Sequence, residues 1–126
     1  MVAKPFRALM ICAAGMSSSL VETHIRRAAE AARLALDLRS ISAVEADLWY
    51  FAARPVEMVL VAPQVRFLRR RLAARLEPQG ILVLPIDPTL FGMAEGEAIF
   101  RQMLSALEGR DARRGAEGAQ ERIRQP

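Results

Sequence analysis

Leu9-Met10-Ile11-Cys12-Ala13-Ala14-Gly15-Met16-Ser17-Ser18-Ser19-Leu20 is an apolar run that stops at a cysteine, passes through small residues and three serines, and opens an amphipathic segment. A strand that empties through a small-residue loop into a helix N-terminus builds an anion site. The first N–H groups of the helix lack intrahelical partners, and the dipole there favours negative charge. Gly15 frees the loop to curl so that its N–H groups converge. The serine hydroxyls are suited to cap the helix or donate to a bound oxyanion. The thiol at the mouth of this loop adds a nucleophile, and a helix N-terminus favours its thiolate. By residue type alone a single cysteine reads as a small buried apolar group. Its place at a strand exit, before glycine and three serines, makes phosphoryl transfer through Cys12 the preferred reading.

The order of apolar runs outward from this stretch is that of an α/β chain. Residues 6–11 form a short buried strand, and the spacing predicts a first helix over about 18–36, with Ser19 and Glu22 as a capping box. Leu36-Asp37-Leu38-Arg39-Ser40-Ile41 alternates like an edge strand. A second capping box, Ser42 with Glu45, opens a helix expected to end before Pro55 and to carry Trp49, Tyr50 and Phe51. Because these three are consecutive, at least one must be exposed. A buried strand over 57–61 is broken by Ala62-Pro63-Gln64 and followed by a helix over 65–76 whose outer face holds Arg66, Arg69, Arg70, Arg71 and Arg75. Those arginines read first as a solvated face, and second as a docking face for an acidic surface or an anionic leaflet. A fourth strand over 81–86, a loop over 87–95 and a last helix over 96–107 ending at Gly109 complete the body.

Strands alternating with helices predict a parallel sheet with right-handed crossovers and helices on both faces. Ligands bind such sheets beyond the carboxyl ends of the strands. Cys12, Pro63, Gln64 and Asp87 each directly follow a strand, so all belong to that rim.

The pattern Cys12-x-x-Gly15-Met16-Ser17-x-Ser19-Leu20 resembles the phosphocysteine loop of the enzyme IIB component of the bacterial sugar phosphotransferase system, lactose/cellobiose/chitobiose class. The resemblance extends from about residue 7 to 107 and includes Ala62-Pro63-Gln64, where the family usually has Gly-Pro-Gln. It also includes Asp87 and Phe91-Gly92, where the family tends to have Asp and Tyr-Gly. It implies a single-domain α/β fold with a four-stranded parallel sheet in the order 2-1-3-4. It further implies a phosphocarrier whose Cys12 takes a phosphoryl group from a phosphohistidine IIA protein and passes it to a disaccharide held by a membrane IIC permease. Ala13, Ala14, Gly15, Met16, Ser17, Ser18 and Ser19 would hold the phosphoryl oxygens, with Pro63, Gln64, Asp87, Phe91 and Gly92 as rim or partner residues. Ala13 and Phe91 depart from the family pattern, each losing a hydroxyl or small polar group. A regulatory or binding module of the same fold is therefore the alternative. A low-molecular-weight phosphatase or arsenate reductase is a further one, but that class needs an arginine six residues after its cysteine, and Ser18 stands there.

Composition sets the outer bounds. The chain has 126 residues, 52% hydrophobic and 25% charged, with a net charge of +4 and one cysteine. That describes one ordinary globular domain without an intramolecular disulfide, in keeping with a reducing cytoplasmic setting. Basic character fits acidic or phosphorylated partners. Nucleic acid is not expected, because binding motifs are missing and aromatic residues make up only 6%. No metal or cofactor is called for. His24, the one histidine, is expected to be a solvated helix residue, remote from Cys12. Residues 1–108 are assigned to the IIB-type phosphocysteine domain, and 109–126, with five arginines against three acidic residues, to a disordered basic tail.

Overall fold

A computed structural model of the chain describes residues 6–13 and 19–124, with side chains through residue 116. Its centre is a four-stranded parallel sheet in the order β2-β1-β3-β4, formed by β1 (Phe6–Cys12), β2 (Leu36–Ser42), β3 (Met58–Val61) and β4 (Leu82–Pro85). The expected strand order is the one observed. β1 and β3 are the two inner strands, and Ala8–Cys12 and Met58–Val61 are buried without interruption. Continuous apolar runs of this kind suit strands covered by helices on both faces. β2 lies at an edge, with Leu38 and Ile41 buried while Asp37 and Arg39 face water. Pro85 sits at the end of the other edge strand, opposite Val61, where its missing N–H costs the ladder least.

One face of the sheet is covered by α1 (Ser19–Ala31) and α5 (Gly96–Arg124), which pack against each other. Val21, Ile25 and Ala29 are the buried side of α1, and Ile99, Phe100 and Met103 that of α5. The two helices approach closely at Gly96, where a Cβ would stand 2.3 Å from the backbone carbon of His24. α2 (Ala43–Leu48) and α3 (Arg69–Leu76) are tied to each other by an Arg71–Asp47 ion pair of 3.1 Å. α2 opens with the expected capping box: Ser42 Oγ accepts from Glu45 N at 3.2 Å, and Glu45 Oε1 accepts from Ser42 N at 3.3 Å.

Several expected boundaries shift, each for a local reason. α1 stops at Ala31 rather than near 36. Arg33 takes a left-handed φ of 58°, Leu34 N donates to Ala29 O, and the chain turns in time for Leu36 to begin β2. α2 ends at Leu48, so Trp49, Tyr50 and Phe51 lie on the following turn. Phe51 is buried there and Tyr50 exposed. That turn is clamped by Trp49, whose Nε1 donates to Arg54 O at 3.0 Å beneath the Arg54 guanidinium, 3.8 Å from the ring centre. The helix expected over 65–76 is a 3₁₀ turn (Pro63–Leu68), kinked at Val65 (φ −120°, ψ 23°), followed by α3. The expected loop over 87–95 contains a short helix, α4 (Pro88–Gly92).

Gly109 does not end the last helix. α5 continues to Arg124, so the segment read as a disordered tail is helical through that residue. Its inner side beyond Leu107 is anchored by Arg110, which donates to Gly80 O at 3.1 Å, with Arg114 donating to the same carbonyl at 3.4 Å. Gly80 holds a left-handed φ of 82° at the end of the turn after α3. It therefore presents its carbonyl where two guanidinium groups can reach it.

At the amino end of the sheet, Arg7 and Glu57 pair through side chains and backbone. Arg7 Nη2 donates to Glu57 Oε1 at 2.7 Å, Arg7 N to Oε2 at 2.6 Å, and Glu57 N to Arg7 O at 2.9 Å. Burial raises the Glu57 pKa, but the hydrogen bonds and charge of Arg7 together outweigh it and hold the carboxyl below its usual value. A depressed carboxylate pKa contributes stability that is present above the unfolded-state value and lost as pH falls through the folded one. Glu57→Gln is expected to lower Tm at neutral pH, with the difference shrinking as pH falls below the ordinary carboxylate range, as thermal melts across pH would show.

Candidate functional site

Cys12 is the last residue of β1, buried, and opposite Ser42 in the register with β2. The thiol lies 4.0 Å from the Met10 carbonyl. Ala13 follows half-buried against the core, and α1 begins at Ser19. Ala14, Gly15, Met16, Ser17 and Ser18 lie outside the described residues, as would a cap on Ser18. Within α1 the side chain of Glu22 is engaged by the next turn. Its Oε1 accepts from Arg26 at 3.0 Å, while Ser19 O accepts from Thr23 Oγ1 at 2.9 Å. The N-terminal end of α1, with its positive dipole end, thus faces the carboxyl rim of the sheet on which Cys12 stands.

The rim residues arrive by the ladder. Ala62 N donates to Ile11 O at 3.0 Å, and Ile86 N donates to Val61 O at 2.9 Å. Pro63-Gln64 and Asp87 therefore leave the sheet at the same end as Cys12, on the next strand and the one beyond. With neighbouring strands about 4.8 Å apart, the backbones of Cys12 and Asp87 are separated by roughly 10 Å across the sheet.

Each rim residue has a definite local role. Pro63 starts the 3₁₀ turn, where a missing N–H costs nothing. Gln64 is half-buried, and its Oε1 is buried with no hydrogen-bond partner among the described residues. Asp87 is the N-cap of α4, its Oδ1 accepting from Thr89 N at 2.8 Å and Leu90 N at 3.1 Å. An oxygen engaged in this way favours a structural role over that of a proton donor. Phe91 is half-buried against the core, so it anchors α4, while Gly92 is exposed and has open space where a Cβ would stand.

His24 differs from its expected solvated state. Its Nδ1 lies 2.7 Å from Ala94 O, a residue held at φ 52° in the turn between α4 and α5. This bond pins the α4–α5 connection onto α1 and gives the lone histidine a packing role. Sequence reading had no signal for it, since the two partners are 70 residues apart. A groove of about 650 Å³ beside His24, lined by Ala28, Ala32, Phe100 and Arg101, runs between α1 and α5 away from the Cys12 rim. No group of three or more His, Cys, Asp or Glu able to hold a metal occurs among the described residues.

Such a parallel sheet, carrying a cysteine at a strand exit before a helix, is the frame of an open α/β protein whose ligands bind at the carboxyl rim. A sequence profile described as "PTS system, Lactose/Cellobiose specific IIB subunit" matches residues 7–102, and the chain belongs to this family. It is 32% identical over 99 residues to the PTS system oligo-beta-mannoside-specific EIIB component of Bacillus subtilis (strain 168), covering 79% of this chain and 93% of that one. The solution structure of the cellobiose-specific phosphotransferase IIB component from Borrelia burgdorferi superposes with a TM-score of 0.65 at 25% identity. That match covers 84% of this chain and 94% of the other. The lactose-specific IIB domain of Streptococcus pneumoniae shares the fold, with a TM-score of 0.67 at 18% identity over 81% of this chain and 97% of that one. As a member of the family the chain is a phosphotransferase-system component of sugar transport. No described helix is long and apolar enough to cross a membrane.

Two predictions separate packing from chemistry at the rim. Gln64→Met removes an acceptor that has no partner among the described residues and should raise stability by about 1 kcal/mol in urea unfolding. Asp87→Ala should cost about 1 kcal/mol by loss of the cap, whereas Asp87→Asn, an equally good cap, should leave stability unchanged.

Proposed function

We propose that Cys12 is the phosphoryl acceptor of a sugar-transport phosphocarrier. The observation that carries this reading is the position of Cys12: the last residue of a buried inner strand, immediately before the loop that enters α1, in a chain of the IIB family. The thiolate attacks the phosphorus of a phosphohistidine on a IIA protein. The S–P bond forms as the N–P bond breaks, and the imidazole keeps the electron pair. In the second transfer a hydroxyl of the sugar held by a IIC permease attacks the same phosphorus. The S–P bond breaks, the thiolate is regenerated, and the hydroxyl proton passes to solvent or to a base on the permease side.

The loop N–H groups of residues 13–19, with the hydroxyls of Ser17, Ser18 and Ser19, are the donors for the three phosphoryl oxygens. Fixed donors of this kind act on both transfers, since charge stays on those oxygens throughout. The protein acts on the cytoplasmic side of the membrane, where the donor is. A carrier must also resist hydrolysis. An arginine clamp and a poised acid, the tools of a phosphatase, are not supplied by Ser18 in sequence or by an Asp87 whose Oδ1 caps α4. The relatives named above carry specificities for oligo-β-mannoside, cellobiose and lactose, so a β-linked disaccharide or short oligosaccharide is the substrate class, with the choice among them left to the permease.

Incubation with phosphoenolpyruvate, the general phosphotransfer proteins and a cognate IIA should add one phosphoryl group to the intact mass, localised to Cys12. Cys12→Ser should abolish that adduct, and Asp87→Asn should retain it. A folded protein with an alkylatable Cys12 that accepts nothing from several IIA donors would mark a regulatory module instead.

A further inference from the structure

α2 and α3, joined by the Arg71–Asp47 ion pair, and the turns beside them carry exposed cationic and large apolar side chains. On α2, Val44 and Leu48 are 70% and 79% exposed and lie four residues apart, on one stripe. Tyr50 on the following turn is 70% exposed, and Phe67 in the 3₁₀ turn before α3 is 75% exposed. α3 and its approach supply five arginines and no acidic residue between 63 and 76. Two of the five have work within the fold: Arg71 pairs with Asp47, and Arg75 lies over the Phe51 ring at 5.7 Å. Arg66, Arg69 and Arg70 are exposed and have no ion-pair partner among the described residues. The patch borders the rim. α2 starts at the residue after Ser42, the register partner of Cys12, and the 3₁₀ turn starts two residues after the end of β3.

We infer that this face seats the protein on an anionic lipid bilayer, with Phe67, Tyr50, Leu48 and Val44 entering the headgroup–acyl boundary and Arg66, Arg69 and Arg70 on lipid phosphates. The mixture itself selects the occupant. Guanidinium groups need anions and the four apolar side chains need hydrocarbon, and the boundary of an anionic bilayer offers both side by side without demanding a fixed register. Arginine stems lie along apolar surface while their heads reach the phosphates. This seating goes beyond phosphoryl transfer and does not require Cys12. It lowers the search for a membrane-held sugar acceptor from three dimensions to two.

The test is co-flotation of the full chain with vesicles of phosphatidylcholine alone and of phosphatidylcholine with one third phosphatidylglycerol. Binding to the anionic vesicles only, weakened as salt rises from about 0.1 M to about 1 M, is the expected result. Each removed arginine should cost roughly fivefold in partitioning. Arg69→Gln with Arg70→Gln should therefore lose at least tenfold, and Phe67→Ser should also weaken binding, while circular dichroism and Cys12 phosphorylation stay unchanged. Equal binding to both vesicle types, no binding to either, insensitivity to these substitutions, or capture by nucleic acid or an acidic polypeptide in place of vesicles would each overturn the proposal. Phosphorylation is read separately, so its failure leaves the vesicle result standing, and the converse also holds.

Discussion

The ladder between β1 and β3 is the constraint on which the rest depends. Both strands are buried on both faces, so their backbone groups have no water to turn to, and an error in register would strand a row of donors and acceptors in an apolar core. Pairing Ala8 with Met58 and Ile11 with Val61 leaves Cys12 and Ala62 side by side at the end. The rim inherits its geometry from that register. The place of Cys12 at the strand exit follows from the ladder, in which Ile11 O accepts from Ala62 N. The rim residues are thus placed by the rigid scaffold before any loop is folded.

The two ends of the sheet are treated differently. At the amino end, Arg7 and Glu57 lock β1 to the entry of β3, and Arg110 and Arg114 converge on the Gly80 carbonyl near the start of β4. At the carboxyl end the Gln64 acceptor has no partner among the described residues, and the patch of exposed apolar and cationic residues adjoins the site. Polar groups are closed off where the molecule needs only to hold together and left open where it needs to meet something.

Much of this was legible in the chain itself. The uninterrupted apolar runs marked β1 and β3 as inner strands, the alternation of Leu36, Asp37, Leu38 and Arg39 marked β2 as an edge, and Ser42 with Glu45 announced α2. α4 carried its own signal too, an Asp followed by Pro, but a five-residue helix is too short to display a period, and so it read as loop. Other features could not be read because their causes lie far away in sequence. The left-handed Arg33 follows from where β2 must start, not from arginine's own preference. His24 is fixed by Ala94, and the run of α5 past Gly109 is supported by a carbonyl thirty residues upstream. For the site, residue types and order pointed to Cys12 and the rim, whereas the capping duty of Asp87 and the packing duty of Phe91 emerge only once α4 is seen.

The 29 residues of α5 span about 43 Å at the rise of an α-helix, while the seven residues of β1 span about 23 Å. Starting beside His24 and passing Gly80, the helix overshoots the amino end of the sheet, away from the cysteine. The molecule therefore carries its own handle. A fluorophore, spin label or tether placed near residue 116 would turn with the body as a rigid lever, remote from the thiol. The orientation of the whole domain would then be readable during phosphoryl transfer without a probe touching the chemistry.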